Sequence, residues 1–141
     1  MVSLVQKAKA YCLKRGIRFT KPRQQILAVI DSSDKPLGAY DIIEEISKTD
    51  IKPKPATIYR ATEFLTEHGF IHKIESLNAF VACREDHAHK STQFIICTAC
   101  ERVEEAHICS TPKLLQEESQ KRKFQLSHWH AELYGICAEC A

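Results

Sequence analysis

Two pairs of cysteines constrain the folding of this chain more than any other feature of its sequence. Each pair has the spacing C-x-x-C, one at Cys97 and Cys100 and the other at Cys137 and Cys140. A two-residue spacer lets both thiolates of a pair reach one ion from a tight turn, and two such turns complete a tetrahedral four-cysteine zinc site. The 36 residues between the pairs exceed the usual zinc-ribbon interval, so we expect a small domain there. The interval is predicted to hold two strands, a helix and a longer strand, at residues 93–96, 102–106, 112–122 and 124–134.

The total cysteine count also favours metal chemistry over a disulfide scaffold. The chain has 141 residues and seven cysteines, an odd number, and residues 1–21 lack the apolar core of a signal peptide. No apolar run approaches the ~18 residues of a membrane span. A thioredoxin-like redox pair is the competing interpretation, but it requires a βαβ unit that the sequence does not predict around either pair. We therefore expect a cytoplasmic protein with structural zinc.

The charges divide the chain into two parts of opposite character. Residues 1–82 carry 13 Lys and Arg against nine Asp and Glu, whereas residues 83–141 carry seven against nine. Residues 1–30 contain seven cations and no acid, and six of the seven cysteines follow residue 82. The formal net charge of +2 therefore averages a basic part with a part rich in metal ligands. The basic part indicates nucleic acid as a partner, because phosphate neutralisation supplies much of DNA affinity.

Helical periodicity dominates the basic part and is followed by a short hairpin. The predicted helices are residues 3–15, a segment that begins after Thr20 as its N-cap, residues 39–48 and residues 55–68. Gly16 and Gly69 follow two of these helices as C-caps. Two strand-like runs come next, at residues 70–75 and 79–81. Short helices followed by a hairpin are typical of a winged helix-turn-helix.

The helix at residues 55–68 is the predicted DNA-reading element. A helical wheel divides it into an inner arc of Ile58, Ala61, Thr62 and Leu65 and a solvent side of Tyr59, Arg60 and Glu63. Arginine on such a face can pair with guanine O6 and N7 in a major groove. A solvated charged face is the simpler interpretation of an arbitrary amphipathic helix, but the helix-turn-helix pattern and the acid-free segment favour DNA. The predicted DNA contacts are Thr57, Tyr59, Arg60, Lys21 and Arg23.

A second group of metal ligands surrounds the boundary between the two parts: His72, Cys83, His87, His89 and Glu105. His72 alternates with Phe70 and Ile74, so we expect it to point inward from the hairpin. Alone, His72 would be a core histidine and Cys83 a small buried apolar residue, but the nearby His-Ala-His argues against both. One thiolate, two imidazoles and a carboxylate suit a closed zinc site. Ligands from both parts would let metal occupancy set the angle between them.

The remaining candidates are weaker. His128 and His130 flank Trp129 on one face of a predicted strand, where a further metal site and a pair of surface histidines are equally compatible with the pattern. Cys12 and Cys109 belong to neither ligand group, and Cys12 is expected to be buried. No H-E-x-x-H, G-x-S-x-G or phosphate-binding glycine loop occurs. The sequence therefore predicts no enzyme activity.

Taken together, the motifs resemble those of the ferric uptake regulator family, most closely its zinc uptake regulator branch. The resemblance spans nearly the whole chain and is carried by Arg18-Phe-Thr-x-Pro22-Arg23, Lys54-Pro-Ala-Thr-Ile-Tyr-Arg60, Gly69-Phe-Ile-His72-Lys-Ile-Glu75, Ala79-Phe-Val-x-Cys83, Phe94-Ile-x-Cys97-x-x-Cys100 and Tyr134-Gly-x-Cys137-x-x-Cys140. It implies an α/β (α+β) fold with a winged-helix DNA-binding domain at residues 1–82, a hinge at 83–92 and an α/β dimerisation and metal-binding domain at 93–141.

The resemblance also implies a function. It predicts a homodimer that, with zinc bound, binds palindromic operator DNA and represses zinc-uptake genes, without a membrane or a small-molecule substrate as partner. Each chain would hold one structural zinc at the four cysteines and at least one regulatory zinc at His72, Cys83, His89 and Glu105, with His87 as the alternative to His89. An iron- or peroxide-responsive regulator is the close alternative, and a zinc-ribbon interaction module without DNA binding is the distant one. Cys83 among the ligands favours zinc over the harder metals.

Overall fold

Four helices and a two-stranded hairpin make up the first of the two units into which the chain divides, Met1–Glu85 and Asp86–Ala141. The computed structural model describes residues 2–49, 52–83, 91–106, 108 and 110–141. The elements of the first unit are α1 (Leu4–Lys14), α2 (Lys21–Ser32), α3 (Ala39–Ser47), α4 (Pro55–Glu67), β1 (Ile71–Ile74) and β2 (Ala79–Ala82). None of the described helices is long and apolar enough to cross a membrane.

The ends of these helices follow local backbone chemistry. Gly16 and Gly69 end α1 and α4 with φ of 66° and 76°, in the left-handed region that glycine adopts without a Cβ penalty. Each glycine directly follows the C-cap residue, Arg15 in α1 and His68 in α4, so both predicted helix ends are confirmed. Thr20 occupies the N-cap of α2 as predicted, but its side chain makes no capping hydrogen bond. Pro22, the second residue of α2, lacks one of the two N–H groups that can donate to such a cap.

Burial of one face of α4 organises the core of the first unit. The predicted inner arc of α4 is confirmed, because Ile58, Ala61, Thr62 and Leu65 are all buried, together with Phe64. The apolar members of this arc belong to a cluster that includes Ile26, Leu27 and Ile30 of α2 and Ile42 of α3. The hydroxyl of Thr62 donates to the carbonyl of Ile58 at 3.0 Å, so this polar group is satisfied inside the helix. The opposite face of α4 is consequently left to solvent.

The hairpin that follows α4 is the wing of the fold. Strands β1 and β2 are antiparallel, with His72 opposite Val81. A turn of 3₁₀ helix at Glu75–Leu77 joins them. Strict alternation fails in β1, because Ile71 and Ile74 are both buried while His72 is half-buried. The Nε2 atom of His72 is nevertheless buried, which agrees with the prediction that His72 points inward together with Phe70 and Ile74.

The second unit is a three-stranded sheet with one helix. Its elements are β3 (Thr92–Cys97), β4 (Val103–Glu105), α5 (Lys113–Lys121) and β5 (His130–Gly135), and the strand order is β4-β3-β5. Strand β3 is antiparallel to β4 and parallel to β5. The mixed α/β architecture agrees with the predicted fold class. The predicted strand at 124–134 is wrong in its first part, because the N–H of Phe124 donates to the carbonyl of Ser119 and closes the end of α5.

The second unit buries few side chains of its own. Within its described residues, those buried are Gln93, Phe94, Ile96 and Cys97, all on β3. Helix α5 buries none of its residues. Large apolar side chains remain exposed on the sheet, the helix and the C-terminal turn, among them Ile95, Leu133, Leu114, Phe124 and Ile136. A core this small needs a metal or a partner to hold it together.

Candidate metal centre and nucleic-acid interface

The four predicted zinc ligands of the second unit meet at one edge of its sheet. Cys97 ends β3, and Gly135 pairs with it at the end of the parallel strand β5, so the carboxyl ends of both strands lie side by side. The turn after β3 carries Cys100, and the turn after β5 carries Cys137 and Cys140. The four sulfur atoms all lie within 4.8 Å of one another. Parallel pairing of β3 and β5 is therefore what brings the two C-x-x-C turns together.

The spacing and chemistry of these sulfurs fit a zinc ion. Zinc–sulfur bonds of about 2.3 Å in a tetrahedron place the sulfurs roughly 3.8 Å apart. The sulfurs of Cys100 and Cys137 are 3.8 Å apart. The backbone N–H of Cys137 donates to the sulfur of Cys97 at 3.4 Å. Backbone N–H groups of this kind stabilise a thiolate, which is the form that binds metal.

The pKa values of the cysteines show how the cluster distributes charge. Hydrogen bonds from the backbone of Cys100 and Cys137 lower the pKa of Cys97 to about 6. Side-chain hydrogen bonds with Cys137 and Cys100 raise the pKa of Cys140 to about 12. A cluster that favours one thiolate and holds another sulfur protonated needs a cation before all four can ionise.

An ion pair that the sequence pattern does not predict joins the two cysteine turns. The guanidinium of Arg102 donates to a carboxylate oxygen of Glu139 at 2.8 Å. Arg102 follows the first cysteine pair, and Glu139 lies inside the second. The pairing lowers the pKa of the Glu139 carboxyl, through the hydrogen bond first and the charge of Arg102 second. The sequence shows a cation after the first cysteine pair and an acid inside the second. It does not show the parallel strand pairing that brings these two charges together.

Two ligands of the predicted regulatory site belong to the wing. His72 lies on β1, and Cys83 directly follows β2 and donates its backbone N–H to the carbonyl of Phe70 at 2.9 Å. Their donor atoms lie within 4.8 Å of each other. Cys83 is buried, at 6% exposure. The hairpin thus brings together one imidazole and one thiolate that are eleven positions apart in the chain.

Of the other predicted regulatory ligands, Glu105 alone lies within the residues that the structure describes. Glu105 is the last residue of β4 in the second unit, where it pairs with Phe94 and is half-buried. His87 and His89 lie outside the described residues, as does Cys109. Cys12, predicted to be buried, is 1% exposed within α1. Burial raises the pKa of its thiol, which is consistent with a structural role.

His128 and His130 lie next to each other, as predicted. Their rings are in edge contact, with centroids 5.4 Å apart. The Nδ1 atom of His130 is 2.7 Å from the hydroxyl of Thr92, and that of His128 is 2.8 Å from the hydroxyl of Ser127. Across the residues that the structure describes, no third ligand joins the two rings in a cluster. The described residues therefore add no ligand to this pair, and a further metal site there stays a prediction.

The predicted DNA contacts occupy two neighbouring helices. On α4, Tyr59 is 56% exposed, Arg60 is also exposed and Thr57 is half-buried. Lys21 begins α2 and is exposed. Arg23 differs from these residues, since its guanidinium lies 3.7 Å from the ring centroid of Phe64 and it donates to the carbonyl of Arg18. The exposed face of α4 can meet a groove of DNA, whereas Arg23 is engaged within the unit.

The chain is similar in sequence to known proteins. The sequence profile of the ferric uptake regulator family matches residues 14–134. The zinc uptake regulation protein of Escherichia coli (strain K12) is 34% identical over 139 residues, which span 97% of this chain and 81% of that protein. The peroxide operon regulator of Bacillus subtilis (strain 168) is 26% identical over 129 residues, spanning 89% and 86%.

Solved structures give the same family. A zinc uptake regulator complexed with zinc and DNA matches with a TM-score of 0.88 at 33% identity, covering 97% of this chain and 92% of that one. The profile match extends over most of the chain, and the identity to the zinc regulator exceeds that to the peroxide regulator. On these matches, this chain belongs to the ferric uptake regulator family.

Proposed function

We propose that this chain is a zinc-responsive transcriptional repressor, which as a zinc-bound homodimer binds palindromic operator DNA and represses zinc-uptake genes. The observation that most supports this function is the likeness, at a TM-score of 0.88, to a zinc uptake regulator complexed with zinc and DNA. The thiolate in the wing adds a reason from chemistry, because sulfur ligands select zinc over iron or manganese. The repressor would act in the cytoplasm and would not be an enzyme.

The functional parts are assigned along the chain. DNA binding is assigned to residues 1–82, a hinge to residues 83–92, and dimerisation and metal binding to residues 93–141. The structural zinc ion would be held by Cys97, Cys100, Cys137 and Cys140. Four thiolates leave no open coordination position, so this site suits a structural role rather than a catalytic one.

The regulatory site is assigned to His72, Cys83, His89 and Glu105. The contacts within the wing support the first two, because the hairpin already holds an imidazole and a thiolate within 4.8 Å. His87 remains the alternative to His89. When bound, zinc would supply a cross-link between residues of the wing and residues that follow it in sequence. Such a cross-link favours DNA binding only as far as its affinity differs between the DNA-competent geometry and the others.

DNA reading is assigned to the exposed face of α4. Arg60 has the donor geometry to pair with a guanine, and Tyr59 beside it can contact a base or phosphate. Thr57 and Lys21 are assigned to the DNA backbone, which positions the helix without carrying sequence information. In a two-fold symmetric dimer, two such helices would read two half-sites, so the operator is expected to be palindromic.

Dimerisation is assigned to the second unit. Its sheet exposes Ile95 and Leu133, and α5 and the segment after it expose Leu114 and Phe124. The small core of this unit leaves that apolar surface without cover from its own described residues. A second copy of the chain would cover it with an identical surface, as two-fold homodimers do.

Replacement of Cys83 by serine tests the proposal. The variant is expected to lose about one zinc ion per chain while keeping the four-cysteine site and the dimer. Its affinity for operator DNA in the presence of zinc is expected to fall about 5- to 150-fold, the usual range of coupling between two binding sites. Metal content and a DNA gel shift, each with and without a chelator, are the measurements.

The matched control is Cys109→Ser, which removes a cysteine that belongs to neither predicted ligand set. It is expected to keep both zinc ions and full DNA affinity. Zinc-dependent DNA binding by Cys83→Ser that equals the wild type would show that the regulatory assignment is wrong. An iron- or peroxide-responsive regulator would instead bind DNA only with iron or manganese, and an interaction module would not bind DNA at all.

A further inference from the structure

A stack of aromatic rings with an arginine at each end joins three helices of the first unit. The guanidinium carbon of Arg15, the residue after α1, lies 3.7 Å from the ring centroid of Tyr11 on α1. The Tyr11 ring meets His68 edge-on at 5.7 Å, and its hydroxyl is 3.3 Å from Nδ1 of His68. The rings of Phe64 and of His68, the C-cap of α4, have centroids 4.5 Å apart. On α2, the guanidinium carbon of Arg23 lies 3.7 Å from the ring centroid of Phe64. The stack therefore runs without a gap from α1 through α4 to α2.

Arg23 is the member of the stack that bears on DNA recognition. Phe64 lies on α4 one helical turn beyond Arg60, the predicted base-reading residue, so a loose contact at Phe64 changes the aim of Arg60. Arg23 also donates to the carbonyl of Arg18 in the segment before α2. Its guanidinium is thus held between an aromatic face and a backbone carbonyl, which is a geometry suited to arginine and not to lysine.

We propose that Arg23 is a positioning residue for the recognition helix α4 and not a phosphate contact. The inference rests on the proposed DNA-binding function, and it replaces the role that the cation pattern predicts for this residue. Arg23 fixes α4 against α2 by stacking on Phe64, and its hydrogen bond to the Arg18 carbonyl holds the guanidinium in place. Lys21, two residues earlier at the exposed start of α2, is left as the phosphate contact of this helix.

The salt dependence of DNA binding separates the two roles. Each phosphate contact contributes roughly 0.9 to the slope of log affinity against log salt, because one condensed counterion is released per phosphate neutralised. A positioning residue changes affinity at every salt concentration without changing that slope. Arg23→Gln removes the charge, Arg23→Lys keeps the charge but loses the planar stack, and Phe64→Leu keeps an apolar side chain but removes the aromatic face.

The probe is a duplex that the zinc-loaded wild-type dimer selects from a random library of roughly 30 base pairs, long enough for two half-sites. Affinity is measured by fluorescence anisotropy over a series of salt concentrations. We expect Arg23→Gln, Arg23→Lys and Phe64→Leu each to weaken binding about three- to tenfold with an unchanged slope. The pair Arg23→Lys with Phe64→Leu should weaken binding no more than either change alone, because both remove the same contact. Lys21→Ala, the phosphate-contact comparator, should lower the slope by roughly 0.9.

Two results would overturn the assignment. One is a slope lowered by roughly 0.9 in Arg23→Gln. The other is wild-type affinity in Arg23→Lys, which would show that charge alone suffices. Thermal unfolding of the same variants gives a readout that needs no DNA, and additive losses of stability for Arg23 and Phe64 would also contradict the contact. If the wild-type dimer selects no duplex at all, the DNA-binding function is refuted. Thermal unfolding of the single and double variants still decides whether Arg23 and Phe64 are coupled.

Discussion

Replacing Cys100 by serine is predicted to unfold the second unit while leaving the first unit folded. Phe94 and Ile96, at 2% and 4% exposure, are the large apolar side chains that the described residues of this unit bury. Burial of such side chains contributes about 1.5–3 kcal/mol each, or about 3–6 kcal/mol for both. Zinc binding to a structural four-ligand site contributes roughly 10–16 kcal/mol at neutral pH. The metal therefore outweighs the core, and its loss should not be tolerated.

Hydrogen exchange of backbone amides is the assay that resolves the two units. In Cys100→Ser, the amides of β3 and β5 should exchange at the rate of an unfolded chain, whereas those of α2 and α4 should stay protected. Metal analysis of the same sample should show a loss of at least one zinc ion per chain. The dimer should dissociate as well, because the exposed apolar surface assigned to dimerisation lies in the unfolding unit.

Arg102→Ala is the matched control for this experiment. It removes the exposed ion pair to Glu139 next to the same cysteine turns but leaves all four sulfurs. Because an exposed ion pair contributes little to stability, the control should retain zinc and protection in β3 and β5. Retained protection of β3 and β5 in zinc-free Cys100→Ser would refute the reasoning that metal, and not the apolar core, holds this unit together.

Three further changes test other parts of the structure. Arg60→Ala should weaken operator binding by about 1–3 kcal/mol and relax the base preference at one position of each half-site, as measured by binding to duplexes with single base changes. Leu133→Glu places a charge on the exposed apolar face of β5 and should convert the dimer to a monomer in sedimentation, whereas a variant that stays dimeric would place the interface elsewhere. Gly69→Ala should lower the unfolding free energy of the first unit by about 1 kcal/mol because φ is 76°. Gly135→Ala is the control, because an added Cβ would lie in open space and φ is not positive, so no such backbone strain is expected in the second unit.

The helices of the first unit could be predicted well because their ends depend on local chemistry. Gly16 and Gly69 each end a helix in a left-handed conformation, and glycine in such a place is visible in a sequence. The end of α5 has the same conformation, but Lys123 occupies it with φ of 52°. Lysine does not predict a helix end, so this end could not be recognised in the sequence. The prediction consequently extended a strand into residues that belong to the helix terminus.

The four-cysteine centre could be predicted because its ligands are recognised from residue type and local spacing, with little information about the fold. The C-x-x-C spacing alone places two sulfurs in one turn, whatever the surrounding fold. What the sequence could not supply is the parallel pairing of β3 with β5, which carries the two turns to the same edge of the sheet. Parallel partners are joined by a long connection, and the pattern of a single strand does not reveal its partner.

The packing of the wing and the contact of Arg23 could not be predicted from sequence patterns. Alternation predicts that His72 and Ile74 point inward and Ile71 outward, but packing in so short a strand also buries Ile71. Proximity of His72 to Cys83 depends on the hairpin register, which periodicity does not determine. The cation pattern around α2 treats Lys21 and Arg23 alike. Only the tertiary contact with Phe64 distinguishes them, because stacking depends on which ring lies nearby.

The most direct test of the proposed function is a zinc titration of DNA binding by the wild-type dimer. Fluorescence anisotropy with the selected duplex, over free zinc concentrations set by a chelator buffer, measures DNA affinity as a function of metal. We predict that the dimer with only its structural site filled binds weakly, and that affinity rises about 5- to 150-fold as a second zinc ion per chain is taken up. Equal DNA affinity at every free zinc concentration that preserves the dimer would contradict the proposal that zinc controls this protein.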